Sequence, residues 1–283
     1  MAESSKLKTG IFSGSFNPIH RGHLAVAEQV LQAFPGSELW LVVSPQNPLK
    51  SETDLAPEQH RLEMARIAVR HSLLHERMQV CDIEFSLPKP SATIHTLQAL
   101  SARHPQRSFS LLIGSDNMAG FPKWVHSQEI LDRYRVLVYP RPGYPTPESA
   151  RSDGFTILTN LKELPQAATD VRTRIARGEN PGAELPGGVW EYIKKHRLYG
   201  YSAETEELTD EITALNSAIE QRPDDARLLI RRGKLLHRTG RFDCALNDFL
   251  RAKRLCPDNP EADAYIALLR EIFAFRHFDL YNP

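Results

Sequence analysis

GSFNPIHRGH, residues 14–23, lies between a short apolar run (Gly10 to Phe12) and an amphipathic run (Leu24 to Phe34). A strand, a turn of small residues with two histidines, and a helix start follow one another there. Small residues at Ser13, Gly14 and Ser15, ahead of Phe16, let backbone N–H groups approach an anion. The helix that follows aims its positive dipole end at the same point. His20 falls in the turn and His23 in the first helical turn, so both imidazoles can face a phosphate chain. The stretch reads as a nucleotide site.

Outward from it, residues 8–200 alternate strands and helices. The strand candidates are Thr9 to Ser13, Leu39 to Ser44, Met78 to Glu84, Phe109 to Gly114, Arg135 to Tyr139 and Phe155 to Thr159. The helix candidates are Gly22 to Phe34, Pro57 to Ser72, Ile94 to His104, Glu129 to Asp132, Asp170 to Gly178 and Val189 to His196, with Thr93 as a cap for the third. This alternation predicts an α/β fold, a doubly wound parallel sheet covered on both faces. Ligands of such sheets bind beyond the carboxyl ends of the strands. The histidine motif, Lys50 and Asp116 all follow strands at that edge.

Beyond Tyr199 the pattern changes. From about Glu204 the sequence has no strand candidate, only helical period broken by PDD (223–225) and PDNP (257–260). Pro223 and Pro257 are 34 positions apart, the period of a tetratricopeptide repeat. Gly233, Ala245 and Ala252 fall where paired helices approach closely, and Leu229, Leu236, Phe242 and Phe249 fall between them. A small all-α domain over 204–283 is therefore expected, after a catalytic domain over 1–200. So few repeats should dock on the first domain, pair with a second copy, or hold a protein partner. A plain helical hairpin is the alternative.

Composition narrows the function classes. Of 283 residues, 41% are hydrophobic and 25% charged, ordinary for a globular protein. Basic and acidic side chains balance at 35 each, giving no reason to expect nucleic acid or a membrane surface as partner. The three cysteines (Cys81, Cys244, Cys256) match no metal or redox spacing and read as reduced thiols. The polar start MAESSKLKTG lacks a signal core, so a cytoplasmic location is expected.

Three motifs in order carry a family resemblance: SGSFNPIHRGH from Ser13, LLIGSDNMAGFPKW with Gly114, Asp116 and Trp124, and QAATDVR (166–172) followed by YIKKHRLY (192–199). Together they resemble the bacterial nicotinate-mononucleotide adenylyltransferases of the HxGH nucleotidyltransferase superfamily. FSLPKPSATIHTL (85–97) and RLEMARIAV (61–69) fit the same family. The resemblance implies transfer of AMP from ATP to nicotinate mononucleotide, with pyrophosphate released and Mg²⁺ carried on the ATP phosphates. It implies that His20, His23, Arg172 and Lys50 handle the phosphates. Ser13, Gly14, Ser15, Phe16, Gly114, Asp116 and Thr169 would bind ATP, with Asp116 on the ribose. Trp124 would stack on the pyridine, and Thr93 and the main chain near Val125 would meet its carboxylate.

Ala167 and Ala168 stand where the family has serines, Ser13 replaces the first glycine, and Ala92 replaces a common aromatic residue. A lost charge-assisted hydrogen bond costs about 1.5–3 kcal/mol, so weaker ATP binding is expected. The alternatives are an enzyme preferring the amide mononucleotide, and a weakly active nucleotide-binding scaffold whose helical tail binds a protein partner. No protein metal site is expected, because no third His or Cys stands at ligand spacing from His20 and His23.

Overall fold

The computed structural model describes residues 8–45, 55–89, 91–147, 150, 153–159, 161 and 167–279. Lys50 therefore lies outside the described residues. Six strands, β1 (Thr9–Gly14), β2 (Glu38–Val43), β3 (Met78–Cys81), β4 (Phe109–Gly114), β5 (Arg135–Tyr139) and β6 (Phe155–Ile157), form one all-parallel sheet in the order β3-β2-β1-β4-β5-β6. Helices α1 (Arg21–Ala33), α2 (Glu58–Arg70), α3 (Thr93–Arg103), α4 (Ser127–Arg133), α5 (Ala168–Ala176) and α6 (Val189–His196) connect and follow them.

The strands read as nearly unbroken apolar runs because both faces of the sheet are covered. On one face Ile11, Trp40, Val42, Leu111, Ile113, Val136 and Val138 pack with Ile94, Leu97 and Leu100 of α3 and Ile130 of α4. Alternation sends Leu39, Leu41 and Val43 to the other face, where α2 lies on β2 and β3. The order reverses between β1 and β4, so a crevice opens beyond their carboxyl ends.

Several expected boundaries shift. β3 stops at Cys81, and Ile83–Ser86 forms a 3-10 turn that carries Glu84 into the interior. β6 ends at Ile157, and α4 is longer than its expected core, Glu129 to Asp132. Thr93 does not cap α3. Ala92 is the N-cap residue, no side chain caps the helix, and Thr93 is its first residue. Ser13 and Gly14 close β1 rather than opening the turn, since Ser44 N–H donates to the Gly14 carbonyl at 2.9 Å.

The chain divides into two compact units, one of residues 1–172 and 181–199, the other of 173–180 and 200–283. The second holds α7 (Ala203–Gln221), α8 (Ala226–Arg238), α9 (Phe242–Leu255) and α10 (Pro260–Asp279). Thr209 of α7 donates its hydroxyl to the Arg177 carbonyl at 2.9 Å, which ties the 173–180 segment into that unit. Its core gathers Leu215, Ile219, Leu229, Leu236, Ala245, Phe249, Ala252 and Leu269. A Cβ on Gly233 would meet the Phe249 ring at 2.8 Å, so glycine lets α8 and α9 close on each other. Phe249 in turn stacks on Tyr265 at 4.6 Å.

Candidate active site

The β1–α1 loop is held from below by an arginine. Arg61 is 1% exposed, and it donates to the carbonyls of Ser15 (2.7 Å), Ser44 (2.6 Å), Pro45 (2.6 Å) and Ala56 (2.8 Å). A planar fork of five N–H donors suits four acceptors on converging chains. No carboxylate among the described residues hydrogen-bonds to it. Burial lowers its pKa from the ordinary value, but a guanidinium stays charged at neutral pH. A fixed positive charge thus underlies the loop.

The loop itself is rigid by packing. Phe16 takes a left-handed φ of 43° and stands edge-on to Phe12 (5.6 Å) and to His23 (5.1 Å). The Asn17 side-chain oxygen accepts from Ala56 N–H at 3.0 Å. His20 is the N-cap residue of α1 and His23 lies in its first turn. Their rings stack at 3.7 Å. His20 N–H donates to His23 Nδ1 at 3.2 Å, which leaves the proton of a neutral His23 ring on Nε2. Nδ1 of His20 is buried without a hydrogen-bond partner. Burial, and secondly the charge of Arg141, push the His20 pKa down to about 4. His20 is therefore neutral at pH 7.

Other segments converge on the same edge. Arg172, in α5, donates to the Asn17 carbonyl at 2.8 Å and to the Thr169 hydroxyl at 3.4 Å. Arg172 and Thr169 thus join the histidine loop although 155 residues separate Arg172 from Asn17. The Tyr199 hydroxyl is buried and unpartnered, and burial raises its pKa against the opposing charges of Arg61 and Arg172. Gly114 ends β4, and Asp116 follows in a 3-10 turn. Asp116 accepts from Asn117 Nδ2 at 3.1 Å and lies 3.7 Å from Arg141 Nε.

Ser13 turns its hydroxyl sideways. It shares a hydrogen bond with Ser44 at 3.1 Å and donates to buried Glu84 at 3.2 Å. Glu84 also accepts from Thr96 at 2.9 Å and Ser91 at 3.2 Å, so three hydroxyls satisfy this carboxylate. Thr93 opens α3 beside that cluster, half-buried. Trp124 is half-buried and packs on Phe121 at 5.0 Å, and Val125 is exposed.

Phe12, both histidines, Tyr139 and Arg141 line a cavity of about 10 Å³, room for one water. A larger cavity of about 540 Å³ opens beside Asp116, lined by Met118, Phe121, Leu131, Tyr144 and Phe155 among others.

Sequence reasoning passed over Arg61, Glu84 and Arg141. Arg61 left a signal: with Ala65 and Ala68 it occupies one helical stripe whose other members are apolar and buried. Arg141 shares the placement that singled out Asp116, just past a strand's carboxyl end. Glu84 left none, because its partners come from three separate segments.

Residues 11–203 match the cytidylyltransferase-like family model. A Bacteroides thetaiotaomicron protein named "probable nicotinate-nucleotide adenylyltransferase" is 42% identical over 196 residues, which span 69% of this chain and 95% of that protein. The chain belongs to the nicotinate-nucleotide adenylyltransferase family. A family member from Bacteroides fragilis is 47% identical over 190 residues, 67% of this chain and 92% of its own length. The fold agrees with that of the Plasmodium falciparum nicotinic acid mononucleotide adenylyltransferase complexed with NaAD. That likeness has a TM-score of 0.59 at 19% identity, over 69% of this chain and 98% of that one. Residues 204–283 lie beyond the stretch matching the cytidylyltransferase-like family model.

Proposed function

We propose that the chain transfers AMP from ATP to nicotinate mononucleotide, giving nicotinate adenine dinucleotide and pyrophosphate. A phosphate oxygen of the mononucleotide attacks the α-phosphorus. The bond from that phosphorus to the bridging oxygen breaks, and its electron pair leaves with pyrophosphate. No protein nucleophile is needed, so catalysis is positioning and charge stabilisation.

In this reading neutral His20, with His23 beside it, donates to phosphate oxygens, and Arg172 takes the leaving pyrophosphate with a bidentate grip. Main-chain groups of Ser15 and Phe16, with Thr169 at the start of α5, complete the triphosphate seat. Ser13 and Gly14 shape the strand end beneath it, and Gly114 and Asp116 receive the ribose. Lys50 is assigned to the incoming phosphate. Arg61 acts through the loop it holds. The observation that carries the reading is the bond from Arg172 to the Asn17 carbonyl, which sets a guanidinium on the histidine loop.

Mg²⁺ is proposed to arrive on the ATP phosphates, where it would neutralise charge and align oxygens. The side chains around the histidines suit that arrangement, being imidazoles and guanidinium groups, with Asp116 already engaged by Arg141 and Asn117. On the pyridine side, Trp124 stacks on the ring while Thr93 and the Val125 main chain meet its carboxylate. The first turn of an eleven-residue helix favours an anion there, which supports the acid over the amide.

The helical unit is proposed to be of tetratricopeptide type. Its supports are the Pro223-to-Pro257 period and the buried Gly233, Ala245 and Ala252. Holding a protein partner or a second copy is the role assigned to it. ATP as substrate and reduced thiols suit a cytoplasmic location, and no described helix is long and apolar enough to cross a membrane.

The test is pyrophosphate release by the full chain with ATP and either mononucleotide. Turnover is expected with the acid form and falls about 10²–10³-fold in His20→Ala. Negligible turnover with both pyridines, beside measurable ATP binding, would favour the scaffold reading that Ala167 and Ala168 suggest.

A further inference from the structure

Arg141 follows β5, and its guanidinium lies among Asp116, Tyr139 and the two histidines. Its Nε lies 3.7 Å from Asp116 Oδ2, and its charge acts on the buried Tyr139 hydroxyl. It also lines the small cavity shared with His20 and His23. The main chain there is pinned: Arg141 N–H donates to Ser115 Oγ at 2.9 Å, and Ser115 Oγ donates to the Tyr144 carbonyl at 2.7 Å. The loops after β4 and β5 are thus stapled together.

Gly114 makes the close approach sterically feasible. A Cβ there would stand 2.3 Å from Asp116 Oδ1 and 2.9 Å from Arg141 Cγ, so any side chain would drive carboxylate and guanidinium apart. The Arg141 side chain keeps 35% of its surface exposed, so a ligand can reach it.

The guanidinium therefore stands between a carboxylate suited to ribose hydroxyls and a pair of imidazoles suited to phosphate oxygens. In a nucleoside 5′-phosphate the group between the ribose and the outer phosphates is the α-phosphate. We infer that Arg141 binds the α-phosphate of ATP, the group that is transferred, and yields its contact with Asp116 to the ribose. This rests on the adenylyl-transfer reading, and it gives Arg141 and Arg172 different phosphates. Arg172 takes the leaving pyrophosphate; Arg141 stays with the AMP that moves. The charge it holds beside His20 also explains part of that ring's lowered pKa.

Calorimetric binding of four probes to the full chain and to Arg141→Met and Arg141→Lys tests the inference. The probes are adenosine, AMP, ATP and pyrophosphate. Losing a charge-assisted contact in Arg141→Met should weaken AMP and ATP about 10- to 100-fold. Adenosine and pyrophosphate should bind as before, and Arg141→Lys should recover part of the AMP affinity. The His20 titration, followed by NMR, should move upward in Arg141→Met, a shift that also shows the variant folded.

Equal weakening of adenosine and AMP would overturn the inference, making Arg141 a residue that acts only through Asp116. Weakening of pyrophosphate without AMP, or no change with any probe, would overturn it too. Failure of the parent reading looks different: the wild-type chain would show the AMP pattern yet release no pyrophosphate with either mononucleotide.

Discussion

Arg61 in the α/β unit and Arg232 in the helical unit are both largely withdrawn from water, yet they are satisfied in opposite ways. Arg232 makes a two-pronged bond to Asp248, at 2.7 and 2.6 Å, and a third bond to Asn216 at 2.9 Å. Its charge is cancelled on the spot, and Asp248 raises its pKa. Arg61 hydrogen-bonds only to carbonyl oxygens, and Glu58 acts on it without a hydrogen bond, so no carboxylate pairs with its charge directly beneath the histidine loop. The difference separates a cation that binds helices together from one that prepares a loop for an anion. A buried charge without a hydrogen-bonded counter-ion is costly, and functional sites are where such charges gather.

The largest effect should come from the loop itself. His20→Ala removes a positioned donor and should lower turnover by about 10²–10³-fold, measured as pyrophosphate release at saturating substrates. A loss under fivefold would dissolve the distinction between the two units. Next come the arginines. Arg232→Met strands buried Asp248 and should destabilise the helical unit by about 3–5 kcal/mol, while the pair change to Met and Leu should recover most of it. Arg61→Met has no single partner whose replacement can rescue it. It should lower both the melting temperature and turnover, and a turnover unaffected in the folded fraction would break the contrast.

A smaller effect concerns pH. Unfolded, His20 takes its proton near the ordinary value of 6.5; folded, it does so at about 4. In that window the unfolded chain binds more protons, so folding stability declines as pH drops from 6.5 towards 4. The decline attributable to His20 should reach about 3 kcal/mol. Denaturant titration across that range should give a shallower slope in His20→Asn, and an unchanged slope would contradict the buried neutral ring. Smallest is the gain from Ala168→Ser, which restores one hydroxyl at the start of α5. It should tighten ATP binding by less than about tenfold and leave the helical unit's melting unchanged.

How much of this could be read from the chain followed from the range of the interactions. The sheet was legible because strands buried on both faces are apolar without interruption, as in Leu39 to Val43. The histidine loop was legible because turn, imidazoles and helix start are contiguous. What escaped depends on distant partners. Arg61 is explained only by the carbonyls of Ser15, Ser44 and Pro45, and Glu84 only by Ser13, Ser91 and Thr96. The premature end of β3 has the same origin, since Glu84 turns inward to collect those hydroxyls. Thr93 looked like a cap because its hydroxyl is of the right kind, but the helix begins one residue earlier and uses none.

The most direct trial of the central claim is a double-mutant cycle on turnover with His20→Ala, Arg172→Gln and the two combined. If imidazole and guanidinium grip one triphosphate, the combined loss falls well short of the product of the separate losses. Losses that multiply in full would mean the two groups serve separate ends, and would contradict a single phosphate-gripping pocket.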